Sequence, residues 1–433
     1  MSTDIQTPAL PAAHEFSADK PAPLASIATV PVSQQPALKR LLSLDAYRGL
    51  VMVLMVSAGL GIPEVVRNFS RTPGLEHLKT PLWEKLAYQT DHSTWVGCSL
   101  WDLIQPSFMF MVGAALAFSL ASRRAKGHSF WRMLGHAVMR SIILVALAIL
   151  LTSNWSRKTE WVFTNVLAQI GLGYTFLFLI AWLKPRWQLT IAVLILVGYW
   201  AAFALYPKPA ADFNLDKAHL PANWQRLTGF ASHWEKNTNL GARADYKFLN
   251  LFPQASGKKF EFNAGGYETL NFVPSLATMI FGLLAGGLIR SRLPSAGKFG
   301  ILIAAGIAGL AIGWALGWLG ICPVVKRIWT PSWTIFSAGW AFLLLGVFYL
   351  IIDVVRFRAW AYPLVWVGMN SIAAYCMSQL LRSWIRATVG RHFPHAYGMF
   401  GDAYIPMVDT TLFLLLVWLT CWWMYRKKIF IRI

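Results

Sequence analysis

The feature that most constrains this chain is a series of apolar segments, each close to the length of a membrane-crossing helix and separated by short polar stretches. A bilayer core of about 30 Å needs roughly 20 helical residues to cross it. Lipid offers no hydrogen bonds to the backbone, so the crossing segments must satisfy their own polar groups, as helices do. We therefore predict an all-α polytopic membrane protein with about ten transmembrane helices. The predicted segments are residues 44–62, 100–121, 134–152, 161–183, 189–205, 270–289, 299–319, 333–352, 364–381 and 407–424.

Composition supports the membrane class. Charged residues make up 13% of the chain and hydrophobic residues 56%, whereas a soluble domain carries about 25% charged residues. The net charge of +20 invites a nucleic-acid function, but the basic residues fall in short clusters between apolar runs. That distribution is typical of membrane topology, so we exclude nucleic acid as a partner. The four cysteines show no metal-binding spacing, and we expect neither a metal site nor a disulfide framework.

The basic clusters also predict the orientation. With ten helices, the clusters before helix one and after helices two, four, six, eight and ten all lie on one side. Because short cytoplasmic loops are enriched in Lys and Arg, that side is the cytoplasm and both termini lie inside. Residues 1–38 are rich in Ala, Pro, Ser and Thr and predict a disordered cytoplasmic tail. Residues 39–433 then form a single transmembrane domain, with longer outer loops at about 63–94 and 206–268.

A histidine and an aspartate near the second predicted helix are the strongest candidates for chemistry. His92 lies at the predicted outer mouth, and Asp102 lies at the start of the helix. Histidine can carry a proton near neutral pH, and a buried carboxylate can fix its tautomer. The two residues can meet only if a non-helical turn through Gly97 folds back. The alternative is an interfacial histidine among the aromatic residues that accumulate at membrane surfaces.

Other polar residues interrupt the apolar segments. Asp45 and Arg48 are three residues apart at the start of helix one, so they share a helix face and can pair. Asn165 and Gln169 are predicted to share a face of helix four, and Asn370 lies near the predicted start of helix nine. Each can either contribute to a site or join helices, as buried amides in membrane bundles often do.

Several motifs occur in one order along the chain. They are Ser-Leu-Asp-Ala-Tyr-Arg-Gly at 43–49, His-x-x-Trp-x-Gly-x-x-x-x-Asp-Leu-x-x-Pro-x-Phe-x-Phe-x-x-Gly at 92–113, Trp-Thr-Pro-Ser at 329–332, Gly-Met-Asn at 368–370 and Tyr-Arg-Lys-Lys-Ile-Phe at 425–430. Together they resemble the membrane acyltransferases related to heparan-α-glucosaminide N-acetyltransferase, and most closely the NagX-type bacterial members. The resemblance covers about residues 39–433.

The resemblance implies a multi-pass protein of the bacterial inner membrane. It also implies transfer of an acetyl group from cytoplasmic acetyl-CoA, the cosubstrate, to the amine of a glucosamine-type sugar. The catalytic histidine of the family corresponds to His92 and its neighbouring acid to Asp102. Val96 and Trp101 depart from the smaller residues that the family often has there, which puts the shape of the acceptor pocket in doubt. We expect the 206–268 loop to roof part of the site.

We expect His92 to act as general base and Asp102 to orient it. The acetyl-CoA site is predicted to include Asp45, Arg48, Gln105 and Asn370, with Gln105 or Asn370 facing the thioester oxyanion and Arg48, Arg123, Arg124 or Lys298 near the nucleotide. The sugar site is predicted to include Trp95, Asn165 and Gln169. A ternary complex and an acetyl-histidine intermediate both remain open. So do an amino-sugar or envelope-precursor transporter, an envelope-polysaccharide O-acyltransferase, and a homodimer in the lipid membrane.

Overall fold

The computed structural model describes residues 41–208, 218, 220 and 224–431. The predicted tail at 1–38 and part of the 206–268 loop lie outside the described residues. The described chain is built from α-helices joined by turns and short 3-10 segments, which confirms the all-α prediction. In chain order the helices are α1 Leu42–Ser57, α2 Ile62–Arg71, α3 Pro81–Thr90, α4 Ile104–Ala125, α5 Phe130–Ser153, α6 Val166–Ile180, α7 Pro185–Leu205, α8 Leu240–Leu249, α9 Phe272–Arg290, α10 Ser295–Trp318, α11 Pro331–Phe348, α12 Tyr362–Gly368, α13 Ser371–Leu380, α14 Arg382–His392 and α15 Ile405–Arg426.

Eight helical stretches of the described chain are long and apolar enough to cross a membrane. They coincide with eight of the predicted segments and confirm a multi-pass membrane protein. The fourth predicted segment contains the shorter helix α6, which begins only at Val166. Asn165 caps this helix, since its Oδ1 accepts the Ala168 N–H at 3.0 Å, and the residues before it are not helical. The ninth predicted segment is divided between α12 and α13. The cytoplasmic position of both termini stays a prediction.

The division of the ninth segment occurs at Asn370, which is fully buried. Its side-chain Nδ2 donates to the Ile429 carbonyl at 3.2 Å, and its Oδ1 accepts the Ile431 N–H at 3.2 Å. We predicted this residue near the start of helix nine. The helix in fact begins earlier, at Tyr362, and Asn370 lies at its interruption, where the amide joins it to the segment that follows α15.

Helices α4 and α9 pack closely at the centre of the bundle through glycines. A Cβ atom on Gly113 of α4 would overlap the backbone oxygen of Met279, and one on Gly282 of α9 would overlap that of Phe110. Small residues at such interfaces let two membrane helices approach until their backbones touch. The contact fixes the position of α4, the helix that begins just after Asp102.

This packing predicts that Gly282→Ala lowers stability. The added methyl group meets the Phe110 carbonyl oxygen, and overpacking of this kind costs about 1–3 kcal/mol. Gly287 lies on the same helix, but a Cβ there meets nothing within 4 Å. Gly287→Ala should therefore leave the melting temperature unchanged or raise it, since alanine favours a helix by about 1 kcal/mol over glycine. Thermal unfolding in detergent measures both variants, and equal melting temperatures would contradict the packing argument.

Candidate active site

The loop between α3 and α4 folds back on itself, as the spacing of His92 and Asp102 requires. Gly97 adopts a φ of 121°, a conformation that residues with a side chain rarely reach. Its N–H donates to the Val324 carbonyl at 2.9 Å, and the neighbouring Val96 forms an antiparallel bridge with Val325. The loop is therefore held against the segment that precedes α11.

The predicted contact between His92 and Asp102 is present. His92 Nδ1 lies 2.8 Å from Asp102 Oδ1, and the Asp102 side chain is 1% exposed while that of His92 is 37% exposed. Asp102 Oδ2 also accepts the backbone N–H groups of Ser93 and Ser99, each at 3.1 Å, and the Ser99 hydroxyl at 3.0 Å. The carboxylate thus organises the loop and orients the imidazole. If Nδ1 donates its hydrogen to Asp102, Nε2 carries the free lone pair.

Lys326 is a third member of this group that the sequence reasoning missed. Its Nζ lies 3.1 Å from Asp102 Oδ1 and 3.0 Å from His92 Nδ1, and its side chain is 4% exposed. Burial lowers the pKa of Lys326 below its ordinary value, although the charge of Asp102 opposes this shift. One signal pointed to it: Lys326 and Arg327 lie in a short loop on the predicted outer side, contrary to the usual distribution of basic residues.

A cavity of about 280 Å³ opens beside this group and is lined by both polar and apolar side chains. Met52 and Met55 of α1 and Phe108 of α4 form apolar parts of its wall. Tyr267 brings the 206–268 loop into the wall. Its principal polar lining residues are His92, Gln105, Asn165, Lys326 and Gln379. The structure therefore brings the predicted residues Gln105 and Asn165 together with the catalytic candidates.

The prediction that Asn165 and Gln169 share a face of helix four is wrong in one respect, because Asn165 caps α6 and does not lie within it. Gln169 is fully buried and does not line the cavity. Its Nε2 donates to the carbonyls of Phe163 at 2.8 Å and Thr269 at 3.2 Å. Gln169 thus joins two outer segments, and its predicted role in sugar binding stays a prediction.

Four other predicted residues also lie away from the cavity. Trp95 is buried, and its Nε1 donates to the Trp234 carbonyl at 3.1 Å beneath the outer loop. Asp45 and Arg48 form the predicted pair at 3.6 Å, at the end of α1 opposite the cavity. Asn370 holds the helix interruption described above. The roles of these residues in substrate binding stay predictions.

A second cavity, of about 260 Å³, lies at the predicted cytoplasmic ends of α4, α5 and α6. Arg123, His136 and Arg140 line it, and no Asp or Glu is among its described lining residues. The Arg140 guanidinium lies 4.5 Å from the centre of the Tyr174 ring. Concentrated positive charge of this kind suits phosphate groups, which need cationic partners.

Two comparisons with known proteins found matches to this chain. Residues 76–223 match the family described as heparan-alpha-glucosaminide N-acetyltransferase, catalytic. This match includes His92, Asp102, Gln105 and Asn165 but ends before Lys326. The human heparan-alpha-glucosaminide N-acetyltransferase is 22% identical over 443 residues, which cover 91% of this chain and 60% of that protein. The mouse protein of the same name is 22% identical over 452 residues, covering 93% of this chain and 62% of its own length.

The chain thus spans about 60% of the length of the curated relatives that it matches. The similarity runs through nearly all of this chain, and the family match contains the contact between His92 and Asp102. This chain is therefore similar to heparan-alpha-glucosaminide N-acetyltransferases over nearly its whole length, and its residues 76–223 match their catalytic family.

Proposed function

We propose that this protein transfers the acetyl group of cytoplasmic acetyl-CoA to the amine of a glucosamine-type sugar, across the bacterial inner membrane. The observation that carries the proposal is the group formed by His92, Asp102 and Lys326 at the edge of a cavity among the helices. The names of the human and mouse relatives give the reaction class of those proteins and support the same class here.

The chemistry requires a neutral amine. The amine nitrogen attacks the thioester carbonyl, a carbon–nitrogen bond forms, the carbon–sulfur bond breaks, and the amine loses a proton. His92 Nε2 accepts this proton and passes it to the departing thiolate, which leaves as the free thiol of CoA. General-base catalysis of this kind is worth about 10²–10⁴-fold. Asp102 holds the imidazole in the required tautomer.

Two further residues of the cavity can act on the thioester oxygen. Gln105 and the ammonium group of Lys326 are hydrogen-bond donors that line the same space as His92. Donors fixed in place before the reaction stabilise an oxyanion because they need no reorganisation when its charge develops.

The donor is proposed to lie along α4. Gln105 and Arg123 are 18 residues apart, which is five helical turns, so they share one face at a separation of about 27 Å. Gln105 lines the cavity beside His92, and Arg123 lines the basic cavity at the other end of the helix. We place the phosphates of CoA near Arg123, His136 and Arg140, with the pantetheine arm extended toward His92. This arrangement favours direct transfer in a ternary complex over an acetyl-histidine intermediate.

The test uses the purified protein in proteoliposomes with glucosamine and labelled acetyl-CoA. We expect labelled N-acetylglucosamine, an amide that withstands mild alkali. An ester product would indicate an O-acyltransferase, and uptake of glucosamine without acetyl-CoA would indicate a transporter; either result alone would overturn the proposal. Mass spectrometry of protein incubated with acetyl-CoA and no sugar should show no acetylated His92 if the transfer is direct.

A further inference from the structure

A third cavity adjoins the one that contains His92, on the side of the outer loop. Its volume is about 210 Å³, and Thr164 lines both cavities. Tyr267 lines the first cavity and Asn263 lines the third. The backbone N–H of Tyr267 donates to Oδ1 of Asn263 at 3.3 Å, so the walls of the two cavities are also hydrogen-bonded to each other. The two cavities therefore meet at Thr164.

The third cavity contains a buried carboxylate with acceptor capacity to spare. Asp245 of α8 is 2% exposed, and both of its oxygens receive the backbone N–H of Thr269, at 3.2 and 2.9 Å. A carboxylate offers about four lone-pair positions. Hydrogen bonds from this one residue, Thr269, leave the carboxylate able to accept others from a ligand in the cavity that Asp245 lines.

Amide groups complement this acceptor. Asn263 Oδ1 already accepts two backbone N–H groups, those of Gly265 at 2.9 Å and Tyr267 at 3.3 Å, which orients its Nδ2 as a donor for other partners. Gln254 Nε2 donates to the carbonyls of Leu249 and Phe252, which leaves its Oε1 as an acceptor. The wall thus offers both donors and acceptors, as a ligand with several hydroxyl groups requires.

An aromatic surface completes the cavity. Trp161 lines it and stacks on Phe252, with ring centres 4.8 Å apart and an angle of 23° between the planes. Large, flat apolar faces beside polar groups suit a sugar ring, which has an apolar C–H face and a polar edge.

The charge of the cavity selects against anionic ligands. Burial raises the pKa of Asp245 to about 6, so this carboxyl is still largely ionised at neutral pH. Glu160 is a further carboxylate in the wall.

We propose that this third cavity is the acceptor subsite, which binds the ring of a neutral or cationic hydroxyl-rich sugar and directs its amine past Thr164 toward His92. Asp245 and Asn263 bind sugar hydroxyl groups, and Trp161 packs against the ring. This inference rests on the proposed acetyl transfer in one respect: that reaction is what identifies the bound sugar as an amino sugar.

Two substitutions test the subsite while keeping the bonds that hold the loop. Asp245→Asn retains an oxygen for the Thr269 N–H, and Asn263→Asp retains an oxygen for Gly265 and Tyr267. Each reverses the hydrogen-bonding character presented to the sugar. Because hydrogen bonds to charged groups are worth about 1.5–3 kcal/mol, we expect the KM for glucosamine to rise at least about tenfold for Asp245→Asn, with the KM for acetyl-CoA unchanged. The control is Glu84→Gln, an exposed carboxylate on α3.

Glucosamine binding measured by calorimetry without acetyl-CoA separates this inference from the proposed reaction. If the wild-type protein binds glucosamine and both variants bind it about tenfold more weakly or worse, the subsite is supported even if no acetyl transfer occurs. If the wild-type protein does not bind glucosamine, or if both variants bind it as tightly as the wild type, the subsite is overturned. If the wild-type protein transfers acetyl groups and both variants bind glucosamine as tightly as it does, the proposed reaction stands and only the subsite is rejected.

Discussion

The variant His92→Gln should lose acetyl transfer by about 10²–10⁴-fold while still binding acetyl-CoA. Glutamine keeps a hydrogen-bonding side chain beside Asp102 and Lys326, but it cannot accept a proton at neutral pH. The amine would then have to lose its proton to water during attack on the thioester. The loss should fall on kcat, because the imidazole acts in the transition state and contributes little to the binding of the donor. Formation of N-acetylglucosamine in proteoliposomes measures the rate.

The matched control is His77→Gln, which changes an exposed histidine in the same outer loop. It should retain full activity, which would exclude a general effect of removing an outer histidine. A folded His92→Gln protein that binds acetyl-CoA and acetylates at the wild-type rate would falsify the role of His92 as the base.

The variant Asp102→Asn should reduce both activity and stability. An asparagine can keep an oxygen for the N–H groups of Ser93 and Ser99, which turns its amide NH₂ toward His92. The imidazole must then accept at Nδ1 and carry its hydrogen at Nε2, so Nε2 can no longer act as a base. The same change in a catalytic triad lowers kcat by about 10⁴-fold. The buried ammonium of Lys326 also loses its counter-charge, and breaking a buried pair costs about 3–5 kcal/mol.

The double variant Asp102→Asn with Lys326→Met separates these two effects. Removing the unpaired charge should restore much of the melting temperature lost in Asp102→Asn, whereas activity should stay low because the tautomer is still wrong. Glu84→Gln is the control, since Glu84 pairs with Lys79 at an exposed site where a salt bridge contributes about 0–1 kcal/mol. If the double variant melted as low as the single one, charge pairing between Asp102 and Lys326 would not explain the instability.

The sequence was sufficient to predict most of the long helices and the contact between His92 and Asp102. Long apolar segments have few alternatives to crossing a membrane, so most of them were located correctly. The spacing of His92, Gly97 and Asp102 required a folded-back turn, and the structure contains it. Short-range patterns of this kind are readable because all the interacting residues lie within one loop.

The contacts between distant segments could not be predicted. Lys326 reaches His92 because Val325 pairs with Val96, a backbone contact between segments more than two hundred residues apart that leaves no periodic signature. The same limit explains why the positions of Trp95 and Gln169 outside the cavity could not be predicted. A polar or aromatic residue in an apolar segment can face a cavity or a neighbouring loop, and only the packing of both segments decides which.

The interruption of the ninth helix has a consequence for the segment that follows α15. Asn370 binds the backbone carbonyl of Ile429 and the backbone N–H of Ile431, so no side chain in that segment takes part. A buried amide left without partners would be costly, so the backbone of this stretch stabilises the interruption. The peptide groups that follow α15 are therefore a structural part of the ninth helix, although they lie about sixty residues further along the chain.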